Sequence, residues 1–245
     1  MRQDNPNPAE TETANEAVNE LKRSAANWAV SQLKNGMIIG LGSGSTAAFA
    51  VSAIGRLTRE GLRIIGIPTS ENTSQQARSL GIPLSTLDIH PDIDITIDGA
   101  DEVEPDSLSL IKGRGGNLLR EKIVALASKE LTIIVDQNKL VTQLGSRAPV
   151  PVEVVPFGWQ STGRRLAALG SKPVLRMAAD QKPFTTDGGN YIFDCTFGPI
   201  RSAQTLQSQL DATVGVVEHG LFIDVASRVV VGQSDGIRIL EKASR

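Results

Sequence analysis

The chain has 245 residues, which is enough to bury a core in one large or two smaller domains. Its formal charge is −2, and its Lys and Arg residues are scattered, so we expect no nucleic-acid partner. Cys195 is the only cysteine, which excludes an internal disulfide and favours a cytoplasmic protein. No apolar run is long enough to span a bilayer, which argues against contact with a membrane.

The first predicted elements form a strand, a glycine loop and a helix. Residues 1–13 are polar and predict a disordered tail, and apolar residues then recur at helical spacing from Ala14 to Leu33. Residues 37–41 predict a buried strand, which leads through the loop 42–46 into a helix running towards Leu57. Such a loop can bind phosphate, because the N–H groups at a helix start carry partial positive charge. The pattern matches no complete nucleotide-binding motif, so a purely structural turn is the alternative.

Strands and helices continue to alternate through the first half of the chain. Strands are predicted at 62–67, 82–87, 93–97 and 131–135, with helices at 71–80 and around Glu121. A second hydroxyl-rich loop, 68–70, follows the strand 62–67. This order predicts an α/β fold with a doubly wound, mostly parallel, Rossmann-like sheet that has helices on both faces.

A second, smaller domain is predicted after Gly145, where Pro149, Pro151 and Pro156 interrupt the pattern. We predict strands at 152–155, 173–177, 191–197 and 214–222, with helices at 162–169 and 202–210. This β-α-β-β-α-β order is typical of a ferredoxin-like α+β domain, which we place at 148–221. Residues 14–147 and 222–245 would form the Rossmann-like catalytic domain, although the β segments 229–231 and 237–240 either rejoin its sheet or hang from it.

The candidate active site is the segment 98–121. Asp98 and Asp101 follow the strand 93–97, at the carboxyl end where open α/β sheets bind ligands. The apolar run 108–111 leads to Lys112 and a glycine loop, after which Asn117 could cap the helix that carries Glu121. These elements can therefore bring three acids and one cation together.

Carboxylates beside a lysine suit proton transfer, and the segment has no Ser-His pair for acyl transfer. If the hydroxyl-rich loops hold a phosphate, the substrate is a small phosphorylated metabolite, and the simplest reaction moves a proton next to a carbonyl. One acid would remove the proton and the lysine would stabilise the enediolate. The acids could also bind Mg²⁺, but Lys112 can supply the positive charge, so we expect no metal and no cofactor.

Each of these residues also has an ordinary structural explanation. Asp98 could cap a turn, Lys112 and Arg114 could be solvated loop charges, and Glu121 could be a surface charge on its helix. His219 lies in an apolar strand and is more typical of a satisfied core or interface histidine than of a catalyst.

Five motifs in order resemble the type A family of ribose-5-phosphate isomerases. They are GLGSGSTA at 40–47, TSENT at 69–73, DGADEV at 98–103, IKGRGGNLLREKI at 111–123 and PVEVVPF at 151–157. The resemblance extends from about residue 20 to 242. It implies interconversion of ribose 5-phosphate and ribulose 5-phosphate through an enediol, in the pentose phosphate pathway, by a homodimer or homotetramer without cofactor or metal.

The resemblance also implies roles for individual residues. Glu121 would be the general base, Asp98 and Asp101 would handle ring opening and the hydroxyl protons, and Lys112 would help neutralise the oxyanion. The implied substrate-binding residues are Ser43, Gly44, Ser45, Thr46, Asp98, Gly99, Ala100, Asp101, Lys112, Gly113, Arg114, Gly115 and Lys139, and Lys22 matches a lysine near the phosphate site.

The glycine loop departs from the family pattern. Some members have glycine at the position of Arg114 and a small residue at that of Asn117, so this loop could differ in shape or add a positive charge. Two rival functions also remain at this stage: another small-molecule enzyme of similar fold, such as a coenzyme A transferase or an amino-sugar phosphate isomerase, and a sugar-phosphate sensor without catalysis.

Overall fold

The computed structural model describes residues 8–242. The helices are α1 (Pro8–Val30), α2 (Gly44–Arg59), α3 (Glu71–Ser79), α4 (Leu118–Leu126), α5 (Trp159–Ala168) and α6 (Ala203–Asp211). The strands of the first half are β1 (Ile38–Leu41), β2 (Ile65–Pro68), β3 (Ile93–Asp98), β4 (Glu102–Glu104), β5 (Ser109–Ile111) and β6 (Ser128–Asp136). Those of the second half are β7 (Val150–Val154), β8 (Lys172–Leu175), β9 (Tyr191–Thr196), β10 (Val216–His219), β11 (Leu221–Phe222), β12 (Arg228–Gln233) and β13 (Gly236–Glu241).

The central sheet has six strands in the order β13-β12-β6-β3-β1-β2. All neighbours are parallel except β12 and β13, so the mostly parallel α/β fold is confirmed and the two last strands rejoin this sheet. Its strands are rich in Val and Ile because both faces are covered. Val230 packs with α1 and α2, whereas Val229 and Val231 face the opposite side.

A small antiparallel sheet of order β11-β5-β4 helps to cover that opposite side. Leu110 of β5 and Phe222 of β11 are fully buried there with Ile133 and Val229 of the central sheet. Helices cover both faces as predicted, and on this face the three-stranded sheet packs beside α4, which the sequence did not predict. These strands have only two or three residues each, which is too short for a clear alternating pattern.

The separate four-stranded sheet is antiparallel, with the order β10-β7-β9-β8. With α5 and α6 between its strands, this is the predicted β-α-β-β-α-β arrangement. Its core is formed by buried residues that include Val152, Leu166, Phe193 and Leu210.

The largest differences from the predicted elements are at three places. Residues 82–87 form an isolated bridge at Leu84 instead of a strand, because Pro83 cannot donate a ladder hydrogen bond. The predicted strand 214–222 is split into β10 and β11 at Gly220. Helix α1 begins at Pro8 rather than Ala14, and proline is well suited to a first helical position, so residues 8–13 of the predicted tail are helical. Residues 1–7 of that tail lie outside the described residues.

Among residues 8–242, no helix is both long enough and apolar enough to cross a membrane.

Candidate active site

The site forms where β1, β3 and β5 end. The loop after β1 lies directly against the end of β3, and the N–H of Gly42 donates to the carbonyl oxygen of Ile97 at 3.0 Å. A Cβ on Gly42 would lie 2.2 Å from Oδ1 of Asp98, so only glycine allows this approach. The loop 42–46 and Asp98 are therefore held together by backbone packing.

Lys112 lies at the centre of the buried charges. Its ammonium Nζ is 3.0 Å from Oδ2 of Asp98, 3.3 Å from Oε2 of Glu121 and 2.6 Å from the carbonyl oxygen of Gly99. The side chains of Lys112, Asp98 and Glu121 are at most 5% exposed. The backbone N–H of Lys112 donates to Gly220, which fixes the lysine beside β11.

Burial and charge shift two pKa values at this cluster. Burial strongly raises the pKa of Glu121, from 4.5 to about 8, and the positive charge of Lys112 only partly opposes that effect. Burial by itself would lower the pKa of Lys112, but the negative charges of Asp98 and Glu121 outweigh it, so the net pKa is raised. Lys112 is therefore a permanent cation, and Glu121 is a carboxyl group able to take up and release a proton near neutral pH.

The two aspartates are oriented by backbone donors. Oδ1 of Asp98 accepts hydrogen bonds from the N–H groups of Gly99 at 2.7 Å and Ser43 at 3.1 Å. Oδ2 of Asp101 accepts from the N–H of Arg114 at 2.9 Å. The buried Oε2 of Glu121, in contrast, accepts no backbone hydrogen bond among the described residues and is held by the Lys112 ammonium at 3.3 Å. The aspartates are thus fixed by the backbone, whereas Glu121 is held through its ion pair with Lys112.

The loop before α2 forms the other wall of the site. Gly44 has a φ of +90°, which favours glycine, and Lys22 of α1 donates to Oγ of Ser45 at 3.2 Å. The first backbone N–H groups of a helix have no partner within the helix, so this end of α2 can bind an anion. Lys22 adds a positive charge there.

The hydroxyl group of Ser43 lies close to three hydroxyl groups of the loop after β2 and the start of α3. Its Oγ lies 2.7 Å from the hydroxyl of Thr69, 2.8 Å from that of Ser70 and 3.2 Å from that of Thr73. The second hydroxyl-rich loop, which we expected to contact phosphate, therefore binds Ser43 and braces the first loop from behind. The TSENT motif marks these residues in the sequence, but it does not show that their partner is the Ser43 hydroxyl.

These residues surround a pocket of about 360 Å³, the size of a small-molecule site. Its wall contains every predicted site residue except Asp98, namely Ser43, Gly44, Ser45, Thr46, Gly99, Ala100, Asp101, Lys112, Gly113, Arg114, Gly115, Glu121 and Lys139, together with Lys22. Asp98 is only 1% exposed and lies behind the wall in contact with Lys112.

Comparison with known proteins identifies the family. The family model described as ribose 5-phosphate isomerase A (phosphoriboisomerase A) matches residues 65–236. The chain belongs to this family. It is 54% identical over 228 residues to ribose-5-phosphate isomerase A of Synechococcus sp. (strain JA-3-3Ab), covering 93% of this chain and 99% of that protein. Its identity to the Gloeobacter violaceus ribose-5-phosphate isomerase A is 56% over 220 residues, which covers 90% of this chain and 95% of that one.

Solved ribose-5-phosphate isomerases share the fold. The structure from Methanocaldococcus jannaschii superposes with a TM-score of 0.87 at 42% identity and covers 91% of this chain and 99% of its own. A D-ribose-5-phosphate isomerase in complex with phospho-erythronic acid gives a TM-score of 0.89 at 38% identity, with coverage of 92% and 99%.

A second group of titratable residues lies outside the isomerase pocket. Ligand atoms of Asp211, Glu218 and His219 come within 4.8 Å of one another, the spacing of a metal site. The ammonium of Lys122, however, lies 2.5 Å from Glu218 and donates to the carbonyl oxygen of His219 at 2.8 Å. This ammonium group already supplies the positive charge that a metal ion would bring to the site. His219 Nδ1 accepts from Leu221, and Nε2 lies 3.0 Å from Asp211, so this histidine is a satisfied interface residue.

Proposed function

We propose that the chain interconverts D-ribose 5-phosphate and D-ribulose 5-phosphate by acid-base proton transfer through an enediol. The observation that carries this proposal is the buried contact between Lys112 and Glu121, 3.3 Å apart at the wall of a pocket that ends at a helix start. A base, a cation and an anion site are the three parts that aldose-ketose isomerisation of a sugar phosphate requires. The reaction belongs to the non-oxidative branch of the pentose phosphate pathway.

The phosphate would bind at the start of α2, at residues 43–46. The free N–H groups of the first helical turn, the hydroxyl of Thr46 and the charge of Lys22 all favour a phosphate dianion there. Lys139 and Arg114 line the same pocket and add positive charge along the sugar. With the phosphate in this position, the carbonyl end of the open sugar extends towards Lys112 and Glu121.

Glu121 would act as the general base. When ribose 5-phosphate is bound, the Glu121 carboxylate removes the proton from C2, the C1–C2 double bond forms, and the carbonyl electrons move onto O1. The same proton, now on Glu121, is then delivered to C1 as the electrons of O2 form the ketone. The raised pKa of Glu121 suits both steps, because the carboxyl must bind and release a proton during one turnover.

Lys112 and the aspartates would manage the oxygen atoms. The Lys112 ammonium stabilises negative charge on the enediolate, and it needs no reorganisation because Asp98 and Gly99 already hold it. Asp98 and Asp101 assist ring opening and carry the hydroxyl proton between O2 and O1. Because Lys112 supplies the positive charge among the carboxylates, we propose that catalysis needs neither metal nor cofactor. A related isomerase is solved in complex with phospho-erythronic acid, whose phosphate and carboxylate would suit these two charged regions.

We further propose two domains: a catalytic domain of residues 14–147 and 222–245, and a ferredoxin-like domain of residues 148–221. Most of the buried cluster around Val152 and Leu166 lies within residues 148–221, which supports this division, and Ile111, Val141 and Leu144 of the catalytic domain pack against it. A homodimer or homotetramer in the cytoplasm is the form that we expect, and light scattering on the purified protein measures its mass directly.

The test is conversion of ribose 5-phosphate by the purified chain in excess chelator. We expect fast, chelator-resistant formation of ribulose 5-phosphate. Absence of turnover by folded protein that still binds ribose 5-phosphate would contradict the proposal and make the pocket a recognition site.

A further inference from the structure

The four-stranded sheet contributes no residue to the pocket wall in the described part of the chain, where every lining residue lies between Lys22 and Lys139. It nevertheless contacts the glycine loop 113–116, part of which lies in that wall. The contact is made by Arg176, which directly follows β8 and has a side chain only 15% exposed. This contact gives the second sheet a route to the reacting groups.

Arg176 joins β9 to the glycine loop with most of its guanidinium donors. Its Nε and Nη2 bind the two carboxylate oxygens of Asp194 on β9, at 2.9 Å and 2.5 Å. Its Nη1 donates to the carbonyl oxygens of Gly113 at 3.0 Å and Arg114 at 3.1 Å. A bidentate pair of this kind fixes the plane of the guanidinium, so the third nitrogen points in one direction.

One peptide group connects Arg176 to Asp101. The carbonyl of Gly113 accepts from Arg176, and the N–H of the same peptide, that of Arg114, donates to Oδ2 of Asp101 at 2.9 Å. A hydrogen bond from a cation to a peptide carbonyl polarises the peptide and strengthens its N–H as a donor. The guanidinium therefore acts on the aspartate through three bonded atoms, without touching the substrate pocket itself.

Packing against Phe184 also holds the same loop. Gly116 has a φ of +83°, and a Cβ there would lie 2.6 Å from the ring of Phe184, which itself lies 5.9 Å from the guanidinium carbon of Arg176. The loop thus turns tightly around the ring that packs with the arginine. Its position depends on two residues of the segment between β8 and β9, Arg176 and Phe184.

We propose that Arg176 is a positioning residue for the isomerase reaction, holding Asp101 in its working orientation through the Gly113–Arg114 peptide, with Asp194 as its anchor. The inference rests on the proposed function, because Asp101 must take part in the reaction for its orientation to affect the rate. Through Arg176 the ferredoxin-like domain would contribute to catalysis, although its four-stranded sheet provides no residue of the pocket wall.

The first experiment compares Arg176→Gln with Arg228→Gln, a control that removes a partly buried arginine paired with Glu130 away from the pocket. We expect Arg176→Gln to lower kcat by about tenfold, with KM changed by less than about threefold, because an interaction used in the transition state is lost. Arg176→Lys, which keeps one cationic donor, should recover part of kcat. Turnover of both variants within about twofold of wild type would overturn the proposal.

A double-mutant cycle tests whether Arg176 acts through Asp101. In an Asp101→Ala background the additional Arg176→Gln change should cost less than about twofold in kcat, since residues that act as a unit are not additive. A full tenfold loss in that background would show that Arg176 works by another route and would refute the inference. If Arg176→Gln fails to fold, Asp194→Asn enters the same cycle, because it weakens the anchor while keeping the side-chain shape.

Hydrogen exchange provides a readout that does not depend on turnover. Amide exchange in a peptide covering residues 113–116 should be faster in Arg176→Gln than in wild type or Arg228→Gln, because the loop loses its clamp. Unchanged exchange would contradict the proposal. A wild-type protein that does not isomerise ribose 5-phosphate refutes the proposed function, whereas an active wild type with an equally active Arg176→Gln variant refutes only the role of Arg176.

Discussion

A lysine buried between two carboxylates is an arrangement that folding stability alone does not favour. Desolvation of the charges costs more than their attraction returns in many proteins, and an apolar cluster of similar volume would be at least as stable. Lys112, Asp98 and Glu121 form such a cluster, and their side chains are at most 5% exposed. The arrangement is understandable as a catalytic one, in which a buried carboxyl group with a raised pKa serves as a base beside a fixed cation.

Replacing Lys112 with Ala tests the cation at the centre of the cluster. We expect kcat to fall on the order of a hundredfold or more, because the enediolate loses its charge stabilisation. Lys129→Ala, which removes an exposed lysine paired with Asp94, is the matched control and should leave turnover unchanged. An effect confined to KM would make Lys112 a binding residue instead.

The pH dependence of the reaction follows from the raised pKa of Glu121. A base must be ionised to accept a proton, so kcat/KM should rise with pH up to about 8, approaching tenfold per unit below that value. Lys112 has a raised pKa and stays charged over this range, so it introduces no loss of activity. Rates measured from pH about 7 upward avoid the ionisation of the phosphate itself. A flat profile between pH about 7 and 8 would contradict this assignment.

The loop 43–46, Asp101, Lys112 and Glu121 could be predicted from strand ends and helix starts in the sequence, whereas Lys22 and Lys139 were implied only by the resemblance to the family. The partner of the Ser43 hydroxyl could not be predicted, since it depends on how close the loop after β2 comes to the loop after β1. The contact of Arg176 with the glycine loop was missed for a similar reason. Arg176 and Arg114 are 62 positions apart in the sequence, and no local pattern relates them.

At the scale of elements, β1 and β3 determine the geometry of the site because they are parallel neighbours that end at the same edge. The short apolar run of β1 and the alternating run of β3 were predictable. The strands β4, β5 and β11 were harder to predict, since each has only two or three residues and is stabilised by the pairing of β5 with both partners. Short strands depend on tertiary contacts more than on their own sequence.

Gly42→Ala tests the approach of β1 to β3. The new Cβ would lie 2.2 Å from Oδ1 and 2.6 Å from Cα of Asp98, so the loop or the acid must move. We expect a loss of about 1–3 kcal/mol in the free energy of unfolding, as for other overpacked sites. Activity should fall at least about tenfold, because Asp98 holds Lys112.

The control for this substitution is Gly188→Ala, where the nearest atoms to a new Cβ are 3.5 Å away, an ordinary contact. Thermal unfolding and steady-state kinetics on both variants compare the two positions. Equal melting temperatures for the two variants would show that the β1 loop tolerates the extra carbon and that the approach to Asp98 is not tightly constrained.

At the scale of the whole molecule, buried polar contacts anchor the segment before the four-stranded sheet to β4 of the small three-stranded sheet. Glu102, which is 1% exposed, accepts N–H groups from Gly145, Arg147 and Ala148, in the segment leading from the central sheet to β7. The sequence predicted that the pattern changes near Gly145. It did not predict the anchor, because Glu102 lies within a motif whose other acids belong to the active site.

Glu102→Gln should destabilise the protein without directly altering the pocket. A Gln amide replaces one acceptor oxygen with a donor that faces backbone N–H groups, so we expect a loss of about 1–3 kcal/mol. Its melting temperature should fall by about 2–4 °C for each kcal/mol. Glu104→Gln, on the same strand, is the control because Glu104 accepts from the Ser107 hydroxyl near the surface. Matching melting temperatures for the two variants would contradict this role.

The most direct test of the central claim is the turnover of Glu121→Gln beside wild type and Glu130→Gln, all in excess chelator with ribose 5-phosphate as substrate. Glutamine preserves the shape of the side chain and removes the base, so we predict a loss of at least about a hundredfold in kcat. Glu130 pairs with Arg228 outside the pocket, and its variant should match wild type. A Glu121→Gln enzyme within about threefold of wild type would contradict the assignment of Glu121 as the general base.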